Sequence, residues 1–401
     1  MSGKSFLPYG RQCIEEDDIA AVAAVLRGDY LTTGPAIDTF ETALAQKVGA
    51  RHAVVCSNGT TALYMAGRAL GLKPGDAVIV PSVTFLATAS APHLCGAEII
   101  FADVDPDTGL MRPTDLQNAL KRANRPVKAL FNVHLTGQCE DLETIACIAR
   151  AAGLKIVDDA CHAIGTRYTA HDSRDHSIGD QSFCDMTVYS FHPVKTITMG
   201  EGGAVVTNDD AFARRLVLAR NHSMTRDPKE FVQPSDAFDI TGLPNPWYYE
   251  LMEPGFNFRA TDFQCALGLS QLQKLDRFIK RRREIAALYD RLLSPMAPKL
   301  KPLSGHVTCQ PARHLYVTLI DYAATGTDRA GFMMRLREKG IGSQVHYFPV
   351  HRQPYFVQRY GALSLPGADA YYARALSLPF YPALNNNDIQ HVVEALAKTI
   401  G

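Results

Sequence analysis

The chain lacks most of the features that would assign it to a specialised class. It carries no charge of either sign in excess, with 41 basic and 41 acidic residues. That excludes the electropositive footprint of a nucleic-acid binder, and no acidic tail is present. It has no Cys-x-x-Cys pair: the cysteines stand singly at positions 13, 56, 95, 139, 147, 161, 184, 265 and 309. Such spacing argues against a zinc site or a disulfide framework and fits reduced, buried thiols. No apolar run reaches the length of a membrane span, and residues 1–6 contain no signal-peptide core. No metal, nucleic-acid or membrane partner is expected, and the reading is a soluble, cytoplasmic protein. Neither a Walker loop nor G-x-G-x-x-G occurs, and there is no internal repeat. The basic run Lys280–Arg283 lies in a helical pattern and reads as a solvated helix face.

What is present is a rhythm. Short apolar runs alternate with helical patterns: strands at 53–56, 77–80, 98–101, 127–133, 154–157, 186–190 and 204–207, and helices at 60–70, 85–95, 113–122 and 142–152. Unalternated apolar runs suit strands buried on both faces of a parallel sheet, and the strand–helix alternation predicts a doubly wound α/β domain. Two helices, to about residue 27 and over 36–48, precede it. Residues 226–257, rich in Pro, Asp, Gly and aromatics and holding the single tryptophan, Trp247, break the rhythm as a long functional loop. A helical pattern over 261–293 ends at Pro295, Pro298 and Pro302. The expected division is a large domain over 1–260, a connecting helix over 261–298, and a small C-terminal α+β domain over 299–401. The small domain is read as strand 315–320, helix 328–339, strand 343–347, and helices 367–377 and 387–399.

Four constellations carry chemistry. Lys195 sits in Ser190-Phe-His-Pro-Val-Lys195, on a short loop that Gly200, Gly202 and Gly203 allow to turn between two buried strands. A lysine in apolar surroundings has a lowered pKa and becomes nucleophilic. Cys56-Ser-Asn-Gly-Thr60-Thr61 joins a strand end to a helix start, which is either plain capping or an anion site for phosphate. Asp158-Asp159-Ala-Cys-His162 ends another strand, so its two carboxylates point to opposite faces. One could hold a protonated ring nitrogen, or cap a helix. Pro81-Ser-Val-Thr-Phe85 ends a third, and its aromatic either stacks on a flat ring or joins the core. A phosphate cradle, a ring stacker, a carboxylate and a lysine at the edge of one sheet are the four requirements of pyridoxal phosphate.

These motifs, with Thr32–Pro35, Thr88, Asp159–Gly165, Glu201–Gly203, Gly255-Phe-Asn257-Phe-Arg259 and Val345-His-Tyr347, resemble the sugar-nucleotide aminotransferases of the DegT/DnrJ/StrS family, fold-type I pyridoxal phosphate enzymes, over nearly the whole chain. Residues 7–12 and 190–208 look most like its pseudaminic-acid (PseC-type) branch. The resemblance implies that Lys195 holds the cofactor aldehyde and moves the proton. It pairs Asp159 with the pyridine nitrogen, sets His162 near the ring hydroxyl and stacks Phe85 on the ring. Gly59, Thr60, Thr61 and Ser190 would hold the phosphate. Asn257 would reach the phosphate in the neighbouring subunit, in a homodimer with shared sites. Thr33, His192, Arg259, His346 and Tyr347 are candidates for the substrate pocket. The expected reaction moves the amino group of L-glutamate to the C4 keto group of a nucleotide-linked 4-keto-6-deoxyhexose. Alternatives are the same transfer on another such sugar (perosamine- or aminoarabinose-type), a pyridoxal-phosphate dehydratase or lyase, and a non-catalytic regulator. Lys195 argues against a dehydratase, in which a histidine takes its place.

Overall fold

The computed structural model describes residues 6–400; most of the leader reading over 1–6 lies outside the described residues. The strand–helix rhythm resolves into a seven-stranded sheet. Its order is His52–Cys56, Gly203–Thr207, Met186–Ser190, Lys155–Asp159, Val127–Val133, Ala77–Pro81, Glu98–Ala102. From Met186–Ser190 outward to Glu98–Ala102 neighbouring strands are parallel, while Gly203–Thr207 runs antiparallel to both its neighbours. These strands are short runs of Val, Ile, Ala and Leu because helices cover both faces and leave no solvated side. One face packs on the helix Gly59–Ala69, through Ala62, Leu63 and Ala66. The other packs on the helix Pro35–Val48, through Phe40 and Leu44, and near Phe278 and Ile279. The architecture is the doubly wound α/β domain that the strand–helix alternation predicts.

Beyond residue 299 a three-stranded antiparallel sheet, Leu300–Pro302, Tyr316–Ile320 and Ala375–Leu378, has its own core with Phe332, Leu336, Val392 and Leu396. Three expectations are corrected here. Residues 343–347 form no strand: only Gln344 pairs, with Ser377, and the chain beyond it bonds instead to His162 through Tyr347 and to Ser82 O through Val350 N–H. The helix expected over 367–377 stops at Arg374, and Ala375–Leu378 is a buried strand of the small sheet. Local helix propensity loses to a place in the sheet. The helical pattern over 261–293 is two helices, Asp262–Gln273 and Leu275–Leu293, meeting at Lys274.

The second of these helices also corrects the solvated basic face. Its buried residues Leu275, Phe278, Ile279, Arg282, Ile285, Ala286, Tyr289 and Leu293 recur at helical spacing. The first three join the large core and the last four the small one. Arg282, between them, is 1% exposed. Its guanidinium donates to the carbonyls of His314 and Phe380, both at 3.1 Å, and lies over the Phe380 ring. Burial without an acidic partner pushes its pKa down to about 10.

Segment 226–257 is less irregular than expected. It holds a short helix, Pro234–Ala237, and its Glu250–Leu251 pairs with Met224–Thr225 just before it. The Glu250 carboxylate closes it by accepting from the N–H groups of Val232 and Gln233 and the hydroxyl of Tyr248. Its outer side exposes Ile240, Leu243, Trp247 and Tyr249. Among the described residues all nine cysteines are free thiols, and no helix is long and apolar enough to cross a membrane.

Candidate active site

The carboxyl ends of the parallel strands open into a cavity of about 880 Å³. This is the edge at which ligands bind in open α/β sheets. Lys195, Gly59, Thr60, Thr61, Phe85, Asp159, His162, Ser190, His192, His346 and Tyr347 all line it.

The lysine loop is held by its own backbone. Phe191 N–H donates to Gly202 O at 2.8 Å, Met199 N–H to Phe191 O at 2.9 Å and Lys195 N–H to His192 O at 2.8 Å. Gly200, at φ 80°, supplies the left-handed turn that lets the chain double back. The amine is pressed below its ordinary pKa by burial, against the opposing pull of Cys161 and Asp159. A neutral, nucleophilic amine is therefore available nearer neutral pH than a surface lysine allows.

The strand end at Asp159 separates the two carboxylates as the alternation requires. Asp158 turns to the other face, where its Oδ2 lies 3.1 Å from His134 Nε2. Asp159 faces the cavity side, buried, with Oδ2 accepting from the Thr88 hydroxyl at 2.6 Å and Oδ1 from Cys161 N–H at 3.2 Å. Because Thr88 spends its proton on Asp159, Thr84, 2.8 Å away, donates to Thr88. The carboxylate is thus oriented by donors and keeps acceptor capacity for a protonated ring nitrogen.

The phosphate end is a helix N-terminus. Asn58 caps Gly59–Ala69, its side chain accepting from Thr61 N–H at 2.9 Å while the Thr61 hydroxyl donates to Asn58 O at 2.8 Å. Capping is therefore real, and it also leaves the first-turn N–H groups of Gly59 and Thr60 without an intrahelical acceptor. A Cβ on Gly59 would come 2.9 Å from Ser190 Cβ and 3.2 Å from Ser190 Oγ. The glycine thus keeps a hydroxyl beside those amides. Cys56, Gly203 and Ser190 are direct neighbours across three strands, which fixes this spacing. An oxyanion fits such a place. Phe85, 51% exposed, projects at the wall with its ring 6.0 Å from that of Tyr347. Pyridoxal phosphate fits this donor set: an amine, an oriented carboxylate, an aromatic wall and an anion cradle.

Three candidates are elsewhere. Thr33 and Arg259 line a smaller cavity of about 230 Å³ with Asn221 and Arg220, and Arg259 pairs with the Asn221 side chain. Asn257 is exposed, its Oδ1 accepting from Arg259 N–H at 3.1 Å. None of the three borders the Lys195 cavity.

The cavity also holds residues to which the motif reading gave no role: Tyr9, Thr84, His134, His314 and Gln344. Thr84 and Thr88, at i and i+4 around a helix start, were findable from spacing. Tyr9 lies in the 7–12 motif without a stated role, and His134, His314 and Gln344 arrive from distant segments and leave no local signal. The His314 ring lies tilted against that of His162, with centroids 4.5 Å apart. Burial pushes the His162, His314 and His346 imidazoles below the usual histidine range, with the Lys195 ammonium adding to it, and His346 falls to about 3.

A sheet-edge lysine and carboxylate beside a phosphate cradle define a pyridoxal-phosphate enzyme. Residues 12–397 match the DegT/DnrJ/EryC1/StrS aminotransferase family, and the chain belongs to that family, whose members are pyridoxal-phosphate-dependent sugar aminotransferases. It is similar to the spore coat polysaccharide biosynthesis protein SpsC of Bacillus subtilis (strain 168), 35% identical over 394 residues, 98% of this chain and 96% of that one. Among solved structures it resembles Helicobacter pylori PseC, an aminotransferase involved in the biosynthesis of pseudoaminic acid. There the TM-score is 0.87 at 29% identity, with 99% of both chains covered. It also resembles DesV of S. venezuelae in complex with a ketimine intermediate, with TM-score 0.83, 29% identity and 99% of both chains covered.

Proposed function

We propose that this aminotransferase moves the amino group of L-glutamate to the C4 keto group of a nucleotide-linked 4-keto-6-deoxy (N-acetylamino) hexose. The product is a 4-amino-4,6-dideoxy sugar nucleotide, UDP-linked and destined for pseudaminic-acid-type or other surface-glycan synthesis in the cytoplasm. The observation that carries the reading is the Lys195 amine, depressed by burial, in one cavity with the oriented carboxylate of Asp159. The roles of PseC in pseudoaminic acid biosynthesis and of SpsC in spore coat polysaccharide biosynthesis support the sugar class.

Pyridoxal phosphate supplies the electron sink and carries the amino group between the two half-reactions. Lys195 anchors it and moves a proton at the substrate carbon in each half. Asp159 holds the ring-nitrogen proton. The amides of Gly59 and Thr60 and the hydroxyls of Thr61 and Ser190 bind the phosphate, and Phe85 covers the ring. His192, His346 and Tyr347 face the substrate. We assign these roles to one lobe over 1–260 and a second over 299–401, joined by 261–298.

Adding L-glutamate to the pyridoxal-phosphate-loaded protein is expected to abolish the visible absorbance band and raise a near-ultraviolet one. A nucleotide 4-keto-6-deoxyhexose then restores the first. A spectrum indifferent to glutamate, with sugar turnover in its absence, would leave the dehydratase reading instead.

Thr33, Asn257 and Arg259 stand outside their own cavity, so their site roles are assigned across a homodimer, with Asn257 serving the partner's phosphate. The exposed apolar side of 226–257 suits such an interface. Mixing refolded Lys195→Ala and Asn257→Asp proteins is expected to recover activity that neither has alone, since one hybrid site is intact. A mixture no more active than its parents would assign each site to a single chain.

A further inference from the structure

The hydrogen bonds around His162 have a direction. A neutral imidazole has one donor and one acceptor nitrogen. His162 Nδ1 lies 3.2 Å from the backbone nitrogen of Thr136, which can only donate. Nδ1 is therefore the acceptor, and the ring proton sits on Nε2. Nε2 lies 3.2 Å from Tyr347 Oη. With its proton directed there, His162 offers Tyr347 no lone pair, and Tyr347 Oη is the acceptor in that contact. The phenolic hydrogen then has to point elsewhere. It has no other acceptor among the described residues, and the Tyr347 ring lines the cavity.

The source of this polarity is rigid. Thr136 is fully buried and held at φ 62°, in the left-handed region that a β-branched residue avoids. Its carbonyl accepts from His314 N–H at 2.8 Å, Gly137 N–H donates to His134 O at 3.1 Å, and the Thr166 hydroxyl donates to Gly137 O at 2.7 Å. A Cβ at Gly137 would lie 2.4 Å from Ala312 O and 2.7 Å from His162 O, so the turn is packed from both sides. Burial and the neighbouring Lys195 and His346 keep His162 neutral, and burial holds the Tyr347 hydroxyl protonated.

We propose that Tyr347 is a committed hydrogen-bond donor into the cavity, its direction imposed by Thr136 through His162, and that it serves an electron-rich oxygen bound beside Lys195. Two oxygens share that chemistry, the phenolic oxygen of the cofactor ring and the keto oxygen of the sugar. The assignment rests on the use of this cavity proposed above. Thr136 and His162 are positioning residues; Tyr347 touches the ligand.

The tautomer is tested without cofactor or substrate. In cofactor-free protein with ¹⁵N-labelled histidine, and with His162 assigned by the signals lost in His162→Gln, long-range ¹H–¹⁵N correlation is expected to show the Nε2–H form. Tyr347→Phe is expected to leave it unchanged. An Nδ1–H form or an imidazolium overturns the proposal, whether or not the enzyme transaminates. In the loaded protein Tyr347→Phe then separates the two oxygens. An upward shift in the pH midpoint of the visible cofactor band assigns the donor to the ring oxygen. An unmoved midpoint, with the sugar half-reaction slowed on the order of 10²-fold and the glutamate half-reaction unaffected, assigns it to the keto oxygen. A variant that changes neither overturns the proposal.

Discussion

Lys195→Met is expected to lose transamination on the order of 10⁴-fold, because one side chain supplies both the anchor and the proton transfer. The same variant, free of cofactor, is expected to be more stable than the parent at pH 7. Burial lowers the folded-state pKa of Lys195 below its unfolded value, which lies near 10.4. Between those two values the unfolded chain binds a proton that the folded chain does not, so the parent's stability rises with pH across that window. Below it the folded protein carries the desolvation cost of a charged ammonium at Lys195, and methionine removes that cost. The advantage of the variant should therefore be complete below the lowered pKa and vanish above about 10.4. Urea unfolding of both proteins at pH 7 and at high pH measures it. A parent that matches or exceeds the variant at pH 7 would contradict the depressed amine. Function here is held at a cost in stability.

Gly203→Ala is expected to lower stability by about 3 kcal/mol, at the upper end for an inserted methyl group. The Cβ would stand 2.3 Å from Asn58 O and 2.8 Å from Gly59 N. Those are backbone atoms at the start of a helix, not the end of a flexible side chain, so they move only if the helix moves. The strand itself is pinned on both sides, opposite Cys56 and Ser190. The amides of Gly59 and Thr60 would be pushed off the Ser190 hydroxyl, and affinity for pyridoxal phosphate should fall at least tenfold beyond the stability loss. Equilibrium urea unfolding and a cofactor titration read the two effects separately. Unchanged affinity in a folded variant would mean that the phosphate sits elsewhere.

The sheet was legible because its strands are buried on both faces and say so in their composition. Met186–Ser190 and Lys155–Asp159 need no partner to be recognised. The site was legible where it follows a strand end: Asn58, Phe85, Asp159 and Ser190 are each within a few residues of one. What stayed hidden depends on contacts far apart in sequence. The strand Ala375–Leu378 reads locally as helix and is made a strand by Tyr316–Ile320 beside it. Arg282 sits in a run of four basic residues, and only the carbonyls of His314 and Phe380 single it out as buried. His314 and Tyr9 reach the cavity by tertiary packing alone.

The cavity draws its wall from two distant stretches of the chain. Gly59, Asp159 and Lys195 stand at or just beyond strand ends of the large sheet, whereas His314 and Tyr347 come from the chain that goes on to build the small one. Anything bound there touches both and is released when either comes apart. The cofactor is then a fastener as well as a reagent. By mass action, ligand at a hundred times its dissociation constant adds roughly 2.7 kcal/mol to the assembled state. The helix Leu275–Leu293, whose buried stripe runs from one core into the other, supplies the permanent half of that joint. The small sheet also lends Val317, Leu319 and Ala375 to the core around Gly59–Ala69, so the loaded enzyme should differ from the empty one in the height of its stability rather than in the number of its cooperative units.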